Sequence, residues 1–439
     1  MFKFLSHTFN PQTLVAEFSY QGTDGIIFTE KIKFHAPTIP YYADTIRNRV
    51  HATPNHTPEL LDRALFLAFI LIGTSYYKSH PTTQVVLPQS IDDFQARFFS
   101  TVYQEGLSQF TFENQLTRAD LAHFTATVDY RAPEPLSYNG TGTLALQSGG
   151  KDSLLTATLL REQNTDFTPW FVGYGNNNYP QVIDEVSNQS PQIINRLIDH
   201  ANLQKSAGLN GHVPITYIVM SIALIQAIIN GENTVLTSVA QEGNEPHGMV
   251  GDLPINHQWS KSWSAEQLFA RYVATYISPD LHVGSPLRKY SELKVAELFV
   301  KKCWQNYSHQ FSSCNRANYT QGNDSSILAW CGDCAKCANS YLLFCPFLPA
   351  ETLTATFANQ DLFTSSRLTE IFKGLLGIDG VMKPFECVGT IDELRYAYHH
   401  RDQSGTERYH DLPFVVPGSD FDPDALYPTQ PYFQEFFHE

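Results

Sequence analysis

The chain has 439 residues, enough for two or three domains at about 100–200 residues each. Its 42% hydrophobic and 13% aromatic content supplies a sizeable core and excludes a disordered chain. A formal net charge of -15 disfavours nucleic acid as substrate, since such a surface repels a phosphate backbone, though it leaves room for a local basic groove.

The first 35 residues alternate apolar and polar, and the turn signal QGTDG separates VAEFSY from GIIFTEKIKF, as in a β-hairpin. Pro58–Tyr77 reads as a buried helix with proline in its first turn. Residues 81–87 read as a strand and Asp92–Tyr103 as a helix. The Pro-rich segment RAPEPLSYNG at 131–140 marks a boundary. Beyond it, strands are expected at Leu144–Gln147, Asp166–Gly173 and Asn233–Ser238, and helices at Leu154–Arg161, Ile193–His200 and Ser221–Asn230. Val213–Tyr217 reads as a strand or a helix start. Strands alternating with helices imply a parallel sheet with right-handed crossovers. The expected fold class is α/β: an α+β segment at 1–135, a parallel-sheet domain at 136–300, and a helical, cysteine-rich region at 301–439.

The start MFKFLSHTFNPQT lacks a basic segment followed by a long apolar run, so no secretory signal is expected. The longest apolar stretches, Ala64–Ile72 and Ile215–Ile229, fall short of the roughly 18 residues that span a bilayer. The expectation is a cytoplasmic protein without a membrane partner. The sequence is silent on oligomeric state.

The sharpest local signal is LALQSGGKDSLL: a hydrophobic strand, then Ser148, Gly149, Gly150, Lys151, Asp152 and Ser153, then an apolar helix start. Two glycines let successive amides turn toward one anion, and the following helix adds the positive end of its dipole. Ser148 and Ser153 offer hydroxyls, Lys151 a charge for the transition state, and Asp152 a carboxylate for the loop or for magnesium. The pattern is not a Walker loop. It resembles the PP-loop of the ATP pyrophosphatase family (adenine nucleotide alpha-hydrolase-like). That resemblance implies ATP cleaved to AMP and pyrophosphate.

All seven cysteines lie in the C-terminal third. WCGDCAKC sets Cys331, Cys334 and Cys337 at three-residue steps, and Cys314 in FSSCNR is the best fourth ligand for a structural zinc, ahead of Cys303 and Cys345. The arrangement is similar to that of 7-cyano-7-deazaguanine synthase. Between loop and cysteines, the segment from Ser238 to Trp263 offers Glu242, Asn244, Asn256, His257, Ser260 and Lys261 to a charged substrate or magnesium, after a strand end where α/β proteins bind ligands. GVMKPFECVGTIDEL combines Lys383, Glu386 and Cys387, a set suited to acid–base work, before a helix cap at Thr390 with Glu393. Taken alone, it reads rather as a packed turn around a small thiol.

The ordered blocks SGGKDS (148–153), EGN (242–244), INHQWSKSW (255–263), SCNRA (313–317), WCGDCAKC (330–337) and KPFECVG (383–389) resemble the MurL family, the UDP-N-acetylmuramoyl-L-alanyl-L-glutamate epimerases. The resemblance implies an ATP-dependent isomerase of peptidoglycan synthesis, and so of cell wall biogenesis and cell shape. It would act on the terminal L-Glu of UDP-MurNAc-L-Ala-L-Glu through an acyl-adenylate, with ATP, Mg2+ and a structural Zn2+. It implies that Ser148–Ser153 hold pyrophosphate with Lys151 catalytic, and that Asp152 or Glu242 assists magnesium. Asn256, His257, Ser260, Lys261 and Arg288 would grip carboxylates or phosphates, with Asn244 and Lys383 in the substrate site. Cys387, Glu386 and His257 are the candidates for proton transfer, Cys387 first. The rival reading is an amide-forming PP-loop enzyme of the 7-cyano-7-deazaguanine synthase kind.

Overall fold

β1 (Phe2–Asn10), β2 (Val15–Gln21) and β3 (Ile27–Lys33) form an antiparallel meander whose alternating burial puts Phe18, Tyr20, Phe28 and Ile32 on one face. The computed structural model describes residues 1–36, 57–129, 133–174, 178–320, 326–403, 408–434 and 436–437. The start of the expected Pro-rich boundary, at 131–132, therefore lies outside the described residues. The buried face of the meander meets α1 (Thr57–Tyr77), with Tyr20 stacked on Phe69 and Tyr76, centroids 5.2 Å apart in both pairs. By length and composition α1 could cross a membrane, but 83% of its most apolar window is buried inside the fold. The expected strand at 81–87 is reduced to β4 (Val85–Val86), a short parallel bridge to β1. α2 (Asp93–Gln104) starts in a capping box made by Asp92 and Gln95, and α3 (Ser108–Glu113) follows it.

β5 (Thr143–Leu146), β6 (Thr168–Gly173), β7 (Gln192–Leu197), β8 (Thr234–Leu236) and β11 (His282–Gly284) are parallel. They join the meander in one nine-stranded sheet, ordered β11-β8-β5-β6-β7-β3-β2-β1-β4. The sheet runs across the boundary expected at 135, because β3 pairs antiparallel with β7 at Lys31–Leu197, Ile32–Arg196 and Lys33–Asn195.

β7 corrects the helix expected at Ile193–His200. Its burial alternates, and the inward position that hides the period is Arg196. The guanidinium donates to Glu30 on β3 at 2.6 and 3.2 Å and to Ser75 Oγ at 2.9 Å, and Tyr76 Oη donates to Glu30 at 2.7 Å. A charged residue on the buried face is unreadable as strand periodicity without its partner.

After β5 the chain moves to one side through β6 and β7, then returns to the other side at β8 and β11. The strand order therefore switches between β5 and β8. Ligands of open α/β sheets bind outside the carboxyl ends at such a point. The loops that leave those ends carry SGGKDS and SVAQEGN. α4 (Lys151–Glu162) follows the first loop. α5 (Ile215–Asn230) precedes β8 and packs on α1. A β-hairpin, β9 (Gly248–Val250) and β10 (Leu253–Ile255), and α6 (Trp263–Tyr276) follow the second loop. A second apolar core gathers α4 with α7 (Glu292–Lys302), α8 (Ala335–Phe344) and α9 (Ile391–His399). The cysteine-rich region thereby sits on the same side of the sheet as α4.

Candidate active site

The glycine loop is fixed by its own backbone. Gly149 has φ +75°, and a Cβ there would meet Leu328 at 2.6 Å and Pro180 at 2.9 Å. A Cβ at Gly150 would lie 3.1 Å from Ser313 Oγ. Ser153 Oγ accepts from the Ser148 amide at 3.3 Å and donates to the Gly150 carbonyl at 3.1 Å, which closes the turn. No side chain caps the N-terminus of α4. Its first amides thus remain directed at whatever anion occupies the loop. Just before the loop, Gln147 is 4% exposed, and neither polar atom of its amide has a hydrogen-bond partner among the described residues. Such an orphaned donor and acceptor at a strand's carboxyl end suit a ligand with both functions.

Lys151 lies 5% exposed between two carboxylates, 2.5 Å from Asp152 Oδ1 and bonded to Glu292 at the start of α7. Burial pushes its ammonium down, but Asp152 and Glu292 outweigh it and hold it above the usual lysine range. Burial pushes Asp152 up, against the pull of Lys151. Lys261 stands 3.6 Å from Glu242. Burial lowers its ammonium, and Cys387, Glu242, Asp152 and Glu292 more than reverse that. The loop from β8, the glycine loop and the late thiol therefore share one electrostatic field.

Both ends of the segment 238–263 are packed, while the β9–β10 hairpin between them is partly exposed. Glu242 and Ser260 are buried, and Glu242 Oε2 has no hydrogen-bond partner among the described residues. Gly243 passes so close to the Lys261–Ser262 backbone that a Cβ would lie 2.6–2.8 Å from it. Asn256 Nδ2 donates to the Gly243 carbonyl at 2.8 Å, and Gln258 Nε2 bridges the Glu242 and Val388 carbonyls at 3.2 and 2.9 Å. Asn244 Oδ1 accepts from the Trp263 amide at 2.8 Å. Asn244 and Asn256 thus spend these side-chain atoms on building the loop. Arg288 is 1% exposed and donates to Glu266 at 2.9 and 3.0 Å and to the Ala240 carbonyl. Those contacts hold it inside the scaffold beneath the β8 loop. Lys383 is bonded to Glu245, which also accepts from the Ile391 amide at 3.2 Å.

At Cys387, burial acts to raise the thiol. Lys261, Lys336 and a hydrogen bond from His257 overcome it and hold the thiol well below its ordinary range. Lys336 also bonds the Cys387 carbonyl. Neighbouring Glu386 is pushed up by burial and accepts from Asn315 Nδ2 at 3.3 Å. His257 Nδ1 lies 2.6 Å from Gln109 Oε1 on α3.

Cys314, Cys331, Cys334 and Cys337 converge, with ligand atoms all within 4.8 Å of one another. The closest sulfur pairs stand 3.5, 3.6 and 3.7 Å apart. Four sulfurs around a tetrahedral zinc at about 2.3 Å stand roughly 3.8 Å apart, so donor set and spacing fit that metal. Cys303 and Cys345 are elsewhere, bonded to Thr158 Oγ1 at 3.3 Å and to the Leu342 carbonyl at 3.1 Å. Ser313, next to Cys314, is the residue that backs Gly150, so the cysteine knuckle buttresses the glycine loop.

Sequence reasoning missed Glu292, Gln109, Lys336 and Glu245. Glu292 looked like an ordinary acidic residue in the first turn of a helix. Lys336 lies inside the WCGDCAKC block and Glu245 beside EGN, so both were adjacent to the signal.

A glycine loop, a helix N-terminus without a side-chain cap and a buried cluster of opposed charges meet at the switch point of this α/β protein, an arrangement suited to an anion on its carboxyl edge. Comparison with known sequences narrows this class. The MurL N-terminal domain matches residues 1–285 and the MurL C-terminal domain residues 310–417. The chain belongs to the MurL family. It is 30% identical over 435 residues to the UDP-N-acetyl-alpha-D-muramoyl-L-alanyl-L-glutamate epimerase of Salinispora tropica, covering 98% of this chain and 90% of that one. It is 32% identical to the enzyme of the same name from a Micromonospora species, covering 89% and 84%. For that of Xanthomonas oryzae pv. oryzae the identity is 30%, covering 90% and 84%.

Proposed function

We propose that this chain epimerises the terminal L-Glu of UDP-MurNAc-L-Ala-L-Glu to D-Glu, using ATP to form an acyl-adenylate and releasing AMP and pyrophosphate. The observation that carries the reading is the buried charge cluster at the switch point, where Lys151 of the glycine loop lies between Asp152 and Glu292 and Lys261 of the β8 loop stands 3.6 Å from Glu242. Family membership and the names of the relatives support the same substrate class.

The chemistry follows from charge. A proton beside a carboxylate is barely acidic, because its carbanion would put two negative charges together. Adenylation removes that charge and leaves an ester-like carbonyl. In this reading residues 148–153 hold the phosphates, with Lys151 neutralising charge on the leaving group. Asp152 or Glu242 would supply a carboxylate to magnesium. Cys387, poised as thiolate, takes the α-proton from one face. The proton for the other face comes from the same corner, where burial holds the Glu386 carboxyl above its ordinary range. Lys383, Ser260 and the loop from β8 line the approach for the dipeptide, and Arg288 supports that loop from below. Cys314, Cys331, Cys334 and Cys337 would hold a zinc whose four thiolate ligands leave it a structural role.

The test is substrate dependence of AMP release. AMP and pyrophosphate should form with the UDP-MurNAc dipeptide and magnesium, without ammonia. AMP formed only with ammonia and another carboxylate would support the amide-forming reading instead.

A further inference from the structure

β11 ends the sheet on its side, so its outer backbone edge faces no strand. The chain beyond residue 417, outside both matched domains, packs along that edge. Tyr432 stacks on His282 of β11 with ring centroids 3.6 Å apart, and the Tyr432 and Thr234 hydroxyls lie 2.7 Å from each other. Phe433 is fully buried against Gly284, where a Cβ would lie 2.5 Å from its ring. Lys289 Nζ donates to the Phe437 carbonyl at 2.7 Å. In the same stretch Gln430 turns inward. Its Nε2 donates to the Val283 carbonyl of β11 at 3.0 Å and to Glu266 Oε1 of α6 at 2.9 Å. A carbonyl and a carboxylate only accept, so it is the amide nitrogen that faces both.

The two oxygens of Glu266, a residue 4% exposed, are divided between partners. Oε1 accepts from Gln430, while Arg288 Nε and Nη2 converge on Oε2 at 3.0 and 2.9 Å. An arginine–carboxylate pair left to itself favours two parallel bonds, one to each oxygen. Gln430 keeps Glu266 out of that pose, and Nη1 of Arg288 reaches the Ala240 carbonyl instead. The main chain of Arg288 adds a second hold: its carbonyl accepts from Gln241 Nε2 at 2.5 Å. Asn244 Nδ2 then donates to Gln241, at 2.5 Å to Oε1 and 3.2 Å to the carbonyl. Arg288 thereby grips both residues that lead into the EGN turn, Glu242–Asn244.

We infer that Gln430 is a positioning residue for the EGN turn, acting through Glu266 and Arg288. Without its amide, Glu266 Oε1 is buried and lacks this donor. The carboxylate then rotates to face Arg288 with both oxygens, and the guanidinium draws away from Ala240. The pair regains within itself most of what it lost, so the fold as a whole keeps its stability while the turn loosens. The Tyr432 hydroxyl belongs to the same stretch but bonds Thr234, outside this relay. Gln430 reaches the reaction only through the turn that carries Glu242, and that last link rests on the proposed place of Glu242 in the site.

The test is amide hydrogen exchange of the full, ligand-free chain, followed by mass spectrometry of peptides covering residues 238–246. This readout does not depend on the epimerase assignment. Gln430→Met keeps the side-chain length and removes the donor. Exchange in that peptide should rise about five- to tenfold, the size of one net hydrogen bond. Gln430→Lys supplies a donor again and should bring exchange back to within about twofold of wild type. Tyr432→Phe should leave it unchanged. Unchanged exchange in Gln430→Met overturns the inference. So does an equal rise in Tyr432→Phe, or a rise spread over β1–β3, since either would make the segment a general cover for the sheet edge. In Gln430→Met the magnesium concentration for half-maximal AMP release should rise about three- to tenfold, with kcat at saturating magnesium changed less than about twofold. Faster exchange with an unchanged magnesium requirement keeps the relay and leaves magnesium to Asp152.

Discussion

Lys151, the first residue of the helix after the glycine loop, is bonded to Glu292, 141 residues further along the chain. The loop cation therefore does not stand free in the anion site. It is preset by one carboxylate from its own turn and one from α7. Replacing Glu292 with Gln should leave Lys151 with Asp152 alone. Loss of one partner from a buried ion pair costs up to about 3–5 kcal/mol, and the retained amide and Asp152 should hold the loss nearer ~2 kcal/mol. Urea denaturation reads this directly. KM for ATP should rise in the same variant, because the lysine is no longer positioned by α7.

In the proposed mechanism Cys387 governs the pH dependence. Its thiol sits well below the ordinary range, so the thiolate, and with it the base, persists as pH falls past about 8.5. The acid limb of kcat/KM should lie well below that value. Lys261→Met removes a stabilising charge and should move the limb upward. Cys387→Ala should lower epimerisation by about 10²–10⁴-fold. Substrate-dependent AMP release should fall far less, because the loop residues are untouched.

Much of this site was legible because its parts are local signatures. SGGKDS and WCGDCAKC each carry their chemistry within a few residues, and the capping box at Thr390 and Glu393 is visible by spacing. The parallel half of the sheet followed from alternation of strands and helices. What stayed hidden depends on partners distant in sequence. Arg196 made β7 look unlike a strand until Glu30 was beside it, 166 residues away. Gln109 is an unremarkable glutamine in a short helix, and only folding brings it to His257, 148 residues on. Arg288 illustrates the converse: an arginine attractive as an anion ligand lies inside the scaffold, bonded to Glu266.

Glu393 gives a stability prediction with a definite sign. Burial pushes its carboxyl up from 4.5 to about 7, although the Thr390 and Leu293 amides pull the other way. A raised folded value means that the stabilisation is full below the unfolded value and is lost as pH rises through about 7. The difference corresponds to roughly 3 kcal/mol. Glu393→Gln should flatten stability against pH between about 4.5 and 7, measured by urea denaturation across that window.

The β3–β7 joint should behave as core. Glu30→Ala leaves Arg196 buried without its carboxylate and should cost about 3–5 kcal/mol. Replacing both residues with methionine should cost less than the single change. A Glu30→Ala protein as stable as wild type would contradict an integral role for the first three strands.

The four-cysteine site predicts one zinc per chain by elemental analysis. Cys314→Ser should lose it together with thermal stability. Because Ser313 backs Gly150, removal of the metal by chelation should also weaken ATP binding.

The most direct measurement of the central claim is made in D2O. The protein is incubated with ATP, magnesium and UDP-MurNAc-L-Ala-L-Glu, and the glutamate recovered after enzymatic release is resolved by chirality and mass. The account predicts D-glutamate carrying one deuterium at the α-carbon, formed only when ATP is present and accompanied by AMP. Glutamate that remains L and free of deuterium while AMP accumulates would contradict it.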